Sequence, residues 1–235
     1  SAEDHKEWAN IVFAKPNWAY RLVVSNSVIA HASDASPVKI ETKDLKQIRF
    51  MMPKGNLTLK AGAEGLLTAR NLEEGCELVV STKDGSELTA KLSKKGDAKE
   101  GCAGDIDAQV PQKVDVRFSL GNGNASVEKM IGDIKFEVGA GNVTIADSKG
   151  DLRGEVGIGD ISIVGKSREI RMDMGVGKMN IKLSEKISKG EWKLSAGKGD
   201  IFIELPSGQV AEEKFDTGMG CLLYTSPSPR DLSTP

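Results

Sequence analysis

Seven turns in this chain, each opened by glycine or its equivalent, follow one another nine residues apart, and each leads into the same short strand pattern. The series runs through Gly123-Asn-Ala-Ser-Val127, Gly132-Asp-Ile-Lys-Phe136, Gly141-Asn-Val-Thr-Ile145, Gly150-Asp-Leu-Arg-Gly154, Gly159-Asp-Ile-Ser-Ile163, Arg168-Glu-Ile-Arg-Met172 and Gly177-Lys-Met-Asn-Ile181. After a four-residue insertion at Ser184 to Ser188 it resumes at Gly190, Gly199 and Gly208. A fixed period of this kind marks a solenoid. Every second turn carries Gly-x-Gly, at 121/123, 139/141, 157/159, 175/177 and 197/199, with Gly218/Gly220 incomplete. The structural unit is therefore two nine-residue halves, an 18-residue coil.

Strands of four or five residues alternate faces, and glycine supplies the backbone freedom for a tight reversal between them. The fold expected is all-β, a right-handed parallel β-solenoid of 18–20 residues per coil, with two short strands and Gly turns in each. The hand follows from the crossover preference of parallel strands. A compact three-cornered helix stays open as an alternative. Between about residue 40 and residue 120 the pattern loosens: Gly55, Gly65, Gly75 and Gly85 stand ten apart, which predicts coils of about 20 residues that open the solenoid. One domain over 36–220 is favoured over a separate small β domain ending near Gly104.

The ends read differently. Arg21 followed by Leu22 to Ala30, His31 and Ala32 has the order of a secretory signal, and a first hydrophobic strand is the alternative, so 1–35 is taken as a leader or disordered segment. Residues 221–235 are taken as an artefactual tail, because Cys221-Leu-Leu-Tyr-Thr-Ser-Pro-Ser-Pro-Arg-Asp231 resembles, residue for residue, a translated sequencing adapter. On that reading the last coil is cut short, the tail supplies no paired strand, and edge-to-edge self-association is expected.

Composition excludes several functions. The net charge is −2, without the basic excess that nucleic acid requires, and no apolar run suffices for a transmembrane segment. Only His5 and His31 are available, both outside the repeat, so no histidine-based triad or metal site is expected in the body. No cofactor is expected and the chain is read as no enzyme. Asp133, Asp151, Asp160 and Asp200 are read as turn residues bonding their own backbone, since the slot where a calcium β-roll has its ligand holds Ile134, Leu152, Ile161 and Ile201. Met172, Met174 and Met179 are read as core.

Two surface columns stand out. Arg117, Lys135, Arg153, Arg171 and Lys193 form a basic ladder, with Ser119, Glu137, Glu155, Asp173 and Ser195 two residues on, and this reads as a self-compensating, solvated face rather than an anion site. Ser126, Thr144, Ser162 and Asn180, followed by Phe202, form a small, neutral, flat column on the other sheet, the candidate contact face. Cys76 and Cys102 are a candidate disulfide, with two separate buried thiols as the alternative.

The order Ile48-Arg-Phe-Met-Met-Pro53-Lys-Gly55-Asn-Leu-Thr-Leu59, then Val110-Pro-Gln-Lys-Val114-Asp-Val-Arg-Phe-Ser-Leu120, then serial Gly-x-Gly-[Asn/Asp] turns, resembles the bacterial putative-adhesin β-solenoid domain family, whose biochemical function is unknown. The likeness spans about 40 to 220 and departs from the pattern at Arg168 and at the insertion near Ser184. It implies an exported bacterial protein of the cell envelope, periplasmic, outer-membrane-associated or extracellular, that binds a protein or glycan surface. An end-to-end polymerising scaffold and a β-helix carbohydrate-active enzyme are the alternatives.

Overall fold

The computed structural model describes residues 20–21, 29–32, 35–95, 97–186, 190–206 and 212–225. Every regular element among them is a strand, and the strands form two sheets of eleven. In the regular part of the first sheet, Leu57–Ala61, Ala125–Glu128, Val143–Lys149, Ile161–Lys166, Met179–Leu183, Ile201–Glu204 and Leu222–Thr225 stack in parallel. In the second sheet, Gln47–Lys54, Asp115–Asn122, Ile134–Ala140, Leu152–Ile158, Glu169–Val176, Glu191–Lys198 and Glu212–Met219 do the same. Ile134 pairs with Leu152 and Leu152 with Ile170, an 18-residue step, and the step from Ile170 to Trp192 contains the insertion.

Alternation does the sorting. Along Ile134–Ala140 and its neighbours every other residue is buried, so Ile134, Phe136, Val138, Val143, Ile145, Val156, Ile161, Ile163, Ile170, Met172, Met174, Met179, Ile181, Leu194, Ile201 and Ile203 all enter one continuous core between the sheets. Each such side chain removed from water contributes roughly 1.5–3 kcal/mol. In-register stacking lines like residues up on one another. Phe50, Phe118, Phe136, Gly154, Met172, Leu194 and Phe215 form a single inward column, in which the rings of Phe118 and Phe136 stack 5.2 Å apart and 8° from parallel.

The expectation of 20-residue coils opening the solenoid needs correcting. Gln47–Lys54 and Leu57–Ala61 make the first coil, but the next strand to stack on Gln47–Lys54 is Asp115–Asn122, where Val116 pairs with Ile48. The intervening chain builds the other side of that coil. Glu87–Lys94 lies parallel to Gln47–Lys54 and Asp105–Val110 lies parallel to Leu57–Ala61. Beyond these, Gly65–Arg70 and Cys76–Lys83 pair antiparallel, so the ten-residue glycine rhythm marks reversing strands rather than coils. Pro37–Ile40 joins Gly65–Arg70, Ile29–Ala32 joins Cys76–Lys83, and Tyr20–Arg21 joins Pro37–Ile40; residues 22–28 of the possible signal segment lie outside the described residues. Cys76 and Cys102, both buried, are disulfide-bonded with Cα atoms 5.9 Å apart, tying the antiparallel layer to the coil above it.

The tail also differs from expectation. Leu222–Thr225 pairs in parallel with Ile201–Glu204, because Leu222 to Thr225 precede the prolines that would remove amide donors. Residues 226–235 lie outside the described residues.

Arg168 has a local explanation. Lys129, just past Ala125–Glu128, and Asp147, 18 residues on, both take a positive φ; Asp147 bulges out of Val143–Lys149, and the register between that strand and Ile161–Lys166 slips by one at that point because the next coil lacks the extra residue. The following corner regains it: Ser167, Arg168 and Glu169 separate Lys166 from Ile170, where Gly150 and Asp151 suffice between Lys149 and Leu152. A longer corner turns without the φ of +140° that Gly150 adopts.

Candidate functional site

The Gly-x-Gly corner sets the geometry of both candidate surfaces. At Gly141 and Gly159 φ is +146° and +145°, and a Cβ there would overlap the carbonyl of the turn glycine one coil back. Glycine is needed twice over, for φ and for close stacking. The next residue then bonds across coils: Asn124 N donates to Asn56 Oδ1 at 3.1 Å, Asn142 N to Asn124 Oδ1 at 3.0 Å, Asp160 N to Asn142 Oδ1 at 2.9 Å and Lys178 N to Asp160 Oδ1 at 2.8 Å. On the other corner Asp133 N donates to Asp115 Oδ1, Asp151 N to Asp133 Oδ1 and Glu169 N to Asp151 Oδ1. These turn residues therefore bond the backbone of the following coil, not their own as expected. A side-chain acceptor one coil back satisfies the amide that a corner would otherwise leave to water.

The first ladder begins at Asp105, whose Oδ1 accepts from Asn56 N and Nδ2 and whose Oδ2 accepts from Asn71 Nδ2 at 2.7 Å. Burial raises this carboxyl, but the bonds from Asn71 and Asn56 and the charge of Arg70 outweigh it and hold the pKa below the usual carboxylate value. Asp105 is thus kept as a charged acceptor at the base of the stack.

On the first sheet the structure brings the four predicted contact residues together. Ser126, Thr144, Ser162 and Asn180 pair in succession, with Thr58 before them and Phe202 and Leu223 after. All of these are partly or fully exposed. Beside the column run Lys60, Glu128, Ala146, Val164, Lys182 and Glu204, in which the terminal pairs neutralise each other, Lys60 to Glu128 at 3.3 Å and Lys182 to Glu204 at 2.7 Å. The middle is left neutral and small. At one corner of this sheet Glu185 reaches Lys166 at 2.7 Å and Lys149 at 3.6 Å, and the Lys166 hydrogen bond, then the Lys149 charge, hold its carboxyl below the usual range.

On the second sheet the basic ladder is longer than the repeat alone indicated: Arg49 precedes Arg117, and Lys214 follows Lys193. Its compensation also comes from elsewhere. Arg153 bonds Glu169 at 2.7 Å, and Arg171 bonds Glu169 at 2.8 Å and Glu191 at 3.2 Å, so the carboxylates two residues before the cations do the pairing. Glu137, Glu155 and Asp173, expected to offset the ladder, form no ion pair among the described residues. Glutamate in the preceding column is long enough to reach a guanidinium, whereas Asp115 and Asp133 have an oxygen committed to the corner amides.

Sequence reasoning missed one feature, the central residue of each Gly-x-Gly. Ala140, Ile158 and Val176 stack in register along the corner, Ile158 63% and Val176 44% exposed, an apolar ridge between two polar faces. The glycine pattern drew attention to the flanks and not to the residue between them.

No family model matches the chain, and no curated protein sequence matches it. Among solved structures it is similar to a putative cell adhesion protein from Clostridium sporogenes, with a TM-score of 0.43 and 13% identity over 86% of this chain and 100% of that one. It is also similar to putative adhesins from Bacteroides fragilis, with a TM-score of 0.33 and 11% identity over 86% and 98%, and from Parabacteroides merdae, with a TM-score of 0.34 and 14% identity over 89% and 100%.

Proposed function

We propose that this chain is a non-enzymatic β-solenoid of the bacterial envelope or cell surface that binds a partner through the first sheet. The observation that carries this reading is the in-register column Ser126, Thr144, Ser162 and Asn180, a flat row of short neutral side chains flanked at mid-length by Ala146 and Val164. Short side chains lose little entropy when covered, and a backbone fixed by parallel ladders on both sides needs no reorganisation. Cys76 and Cys102 support an exported location, because a disulfide persists in oxidising compartments. The resemblance of the repeat to the adhesin-like solenoids points the same way.

The test is binding of the purified chain to arrayed bacterial glycans and envelope proteins, compared with a Thr144→Arg/Ser162→Arg variant. Those positions face outward, so the variant keeps its fold while two long cations disrupt the flat row. Binding abolished in the variant supports the reading; equal binding by both removes the first sheet from consideration. Release of unsaturated products from a uronic-acid polysaccharide would overturn the non-enzymatic part.

A further inference from the structure

The two sheets are not electrostatically alike. Seven cations, Arg49, Arg117, Lys135, Arg153, Arg171, Lys193 and Lys214, stand in one straight column on the second sheet, in register from strand to strand. At a strand spacing of about 4.8 Å such a stack repels itself, modestly in water, and an anion laid against it relieves the repulsion. In the middle of the column the chain provides this itself, through Glu169 and Glu191 on Arg153 and Arg171.

At the Arg49 end it does not. The residue that would correspond to Glu169 is Gln47 before Arg49, Asp115 before Arg117 and Asp133 before Lys135. Gln47 has no charge, and each aspartate accepts the next coil's amide instead of an ion pair. The residues two positions on are Met51 and Ser119, followed by Glu137, and on the other flank Arg49 pairs with Thr89, between Glu87 opposite Gln47 and Lys91 opposite Met51, Glu87 making no ion pair with Arg49. Arg49, Arg117 and Lys135 thus stand beside the hydroxyls of Thr89 and Ser119 and the thioether of Met51, itself 40% exposed, with Asp115, Asp133 and Glu137 as bordering carboxylates that make no ion pair with them among the described residues.

From this arrangement we infer that the Arg49–Arg117–Lys135 end of the second sheet binds a linear carboxylated polysaccharide, laid along the stacking axis with its carboxylates on successive cations. Guanidinium groups take carboxylates in a planar, two-point geometry, and the hydroxyls of Ser119 and Thr89 offer partners for sugar hydroxyls. The charge density of the ligand is limited by the neighbours. Asp115 and Glu137 border the cations and the chain carries a net −2, so a duplex with two phosphates per base pair is repelled where a polyuronate, one carboxylate per sugar, fits between them. The inference concerns the opposite sheet from the proposed contact face and stands whether or not that face binds anything.

The experiment is fluorescence anisotropy with labelled oligogalacturonate at low ionic strength, with dextran sulfate, neutral dextran and duplex DNA as comparison probes. Oligogalacturonate binding weakens about tenfold in Arg49→Ser/Arg117→Ser, weakens similarly in Ser119→Glu, changes less than about twofold in Arg171→Ser, whose cation is already paired, and declines with added salt. No binding by the unmodified chain, an unchanged dissociation constant in both patch variants, an equal loss in Arg171→Ser, or tighter binding of dextran sulfate or DNA would each overturn the inference. Circular dichroism confirms that each variant is folded. Ser119→Glu removes no native contact, so it reads the patch even if the double variant is destabilised.

Discussion

Replacing Gly154 by alanine adds one methyl group at the most crowded point of the core. Gly154 is buried in the inward phenylalanine column with an ordinary negative-φ strand backbone, so alanine costs nothing in φ and would gain about 0.5–1 kcal/mol from reduced freedom of the unfolded chain. Packing opposes this. A Cβ at 154 would fall 2.5 Å from Phe136 Cε1 and closer still to Cζ and Cε2, so the ring must retreat by about 1.5 Å to restore van der Waals contact. Phe136 is 3% exposed and stacked on Phe118, which leaves it little room to do so. Overpacking of this kind costs about 1–3 kcal/mol, giving a net loss of about 1–2 kcal/mol for Gly154→Ala. Urea unfolding followed by far-ultraviolet circular dichroism measures it. The decisive comparison is a cycle with Phe136→Leu: in that background the added methyl has space, and Gly154→Ala becomes neutral or stabilising, a coupling of at least about 1 kcal/mol. Additivity of the two changes would show that the ring is not what excludes the side chain.

Three further outcomes are expected. Lys178 interrupts the corner ladder because it has no acceptor to offer Asp200, so Lys178→Asn restores the series and stabilises the chain by about 0.5–1.5 kcal/mol in urea unfolding, whereas Lys178→Leu does not. Asp105, its carboxyl lowered in the folded state, contributes stability that is present above its unfolded pKa and lost as pH falls through its lowered folded value; the stability gap between the native chain and Asp105→Ala therefore narrows in acid, and a gap unchanged between neutral pH and pH about 2 would contradict the charged-acceptor role. Joining Cys76 to Cys102 across 26 residues contributes about 3 kcal/mol, so Cys76→Ala/Cys102→Ala lowers the unfolding midpoint, and thiol titration of the unfolded, unreduced chain finds one thiol, that of Cys221.

The regular coils were legible in the sequence because their period and their alternation agree. Glycine every nine residues fixed the corners, and the apolar residues placed inward from Ile134 to Ile203 are the ones that are buried. The opening of the solenoid was not legible for a physical reason: a glycine-bounded strand reads the same whether its neighbour runs parallel or antiparallel, and nothing local to Gly65 or Gly75 tells that Asp105–Val110 will insert between Gly65–Arg70 and Leu57–Ala61. The candidate face was legible as a column because register follows from the repeat. Charge pairing was not, since it depends on side-chain length: Glu169 and Glu191 reach the guanidiniums while aspartates one coil earlier are held by amides. Arg168 was visible as an exception, but its cause lies in the bulge at Asp147 on the opposite sheet, one coil away.

That the first coil is flanked on one side by residues 87–110 and on the other by 115–128 gives the molecule a direction of assembly. A chain leaving the ribosome can lay down residues 47–61 early, but they find no parallel neighbour until Glu87–Lys94 has emerged. Asp115–Asn122 and Ala125–Glu128 still reach back 68 residues to that coil, but from Ile134 onward the rule changes, for each new half-coil finds its template already built about 18 residues behind it. Growth then needs only nearest-neighbour closure, the low-cost step of repeat folding. The antiparallel layer with its disulfide thus serves as a starter on which the rest of the polymer is laid, and lesions there would stop folding before it starts, while equal lesions in a later coil would shorten the ordered stack from that point on.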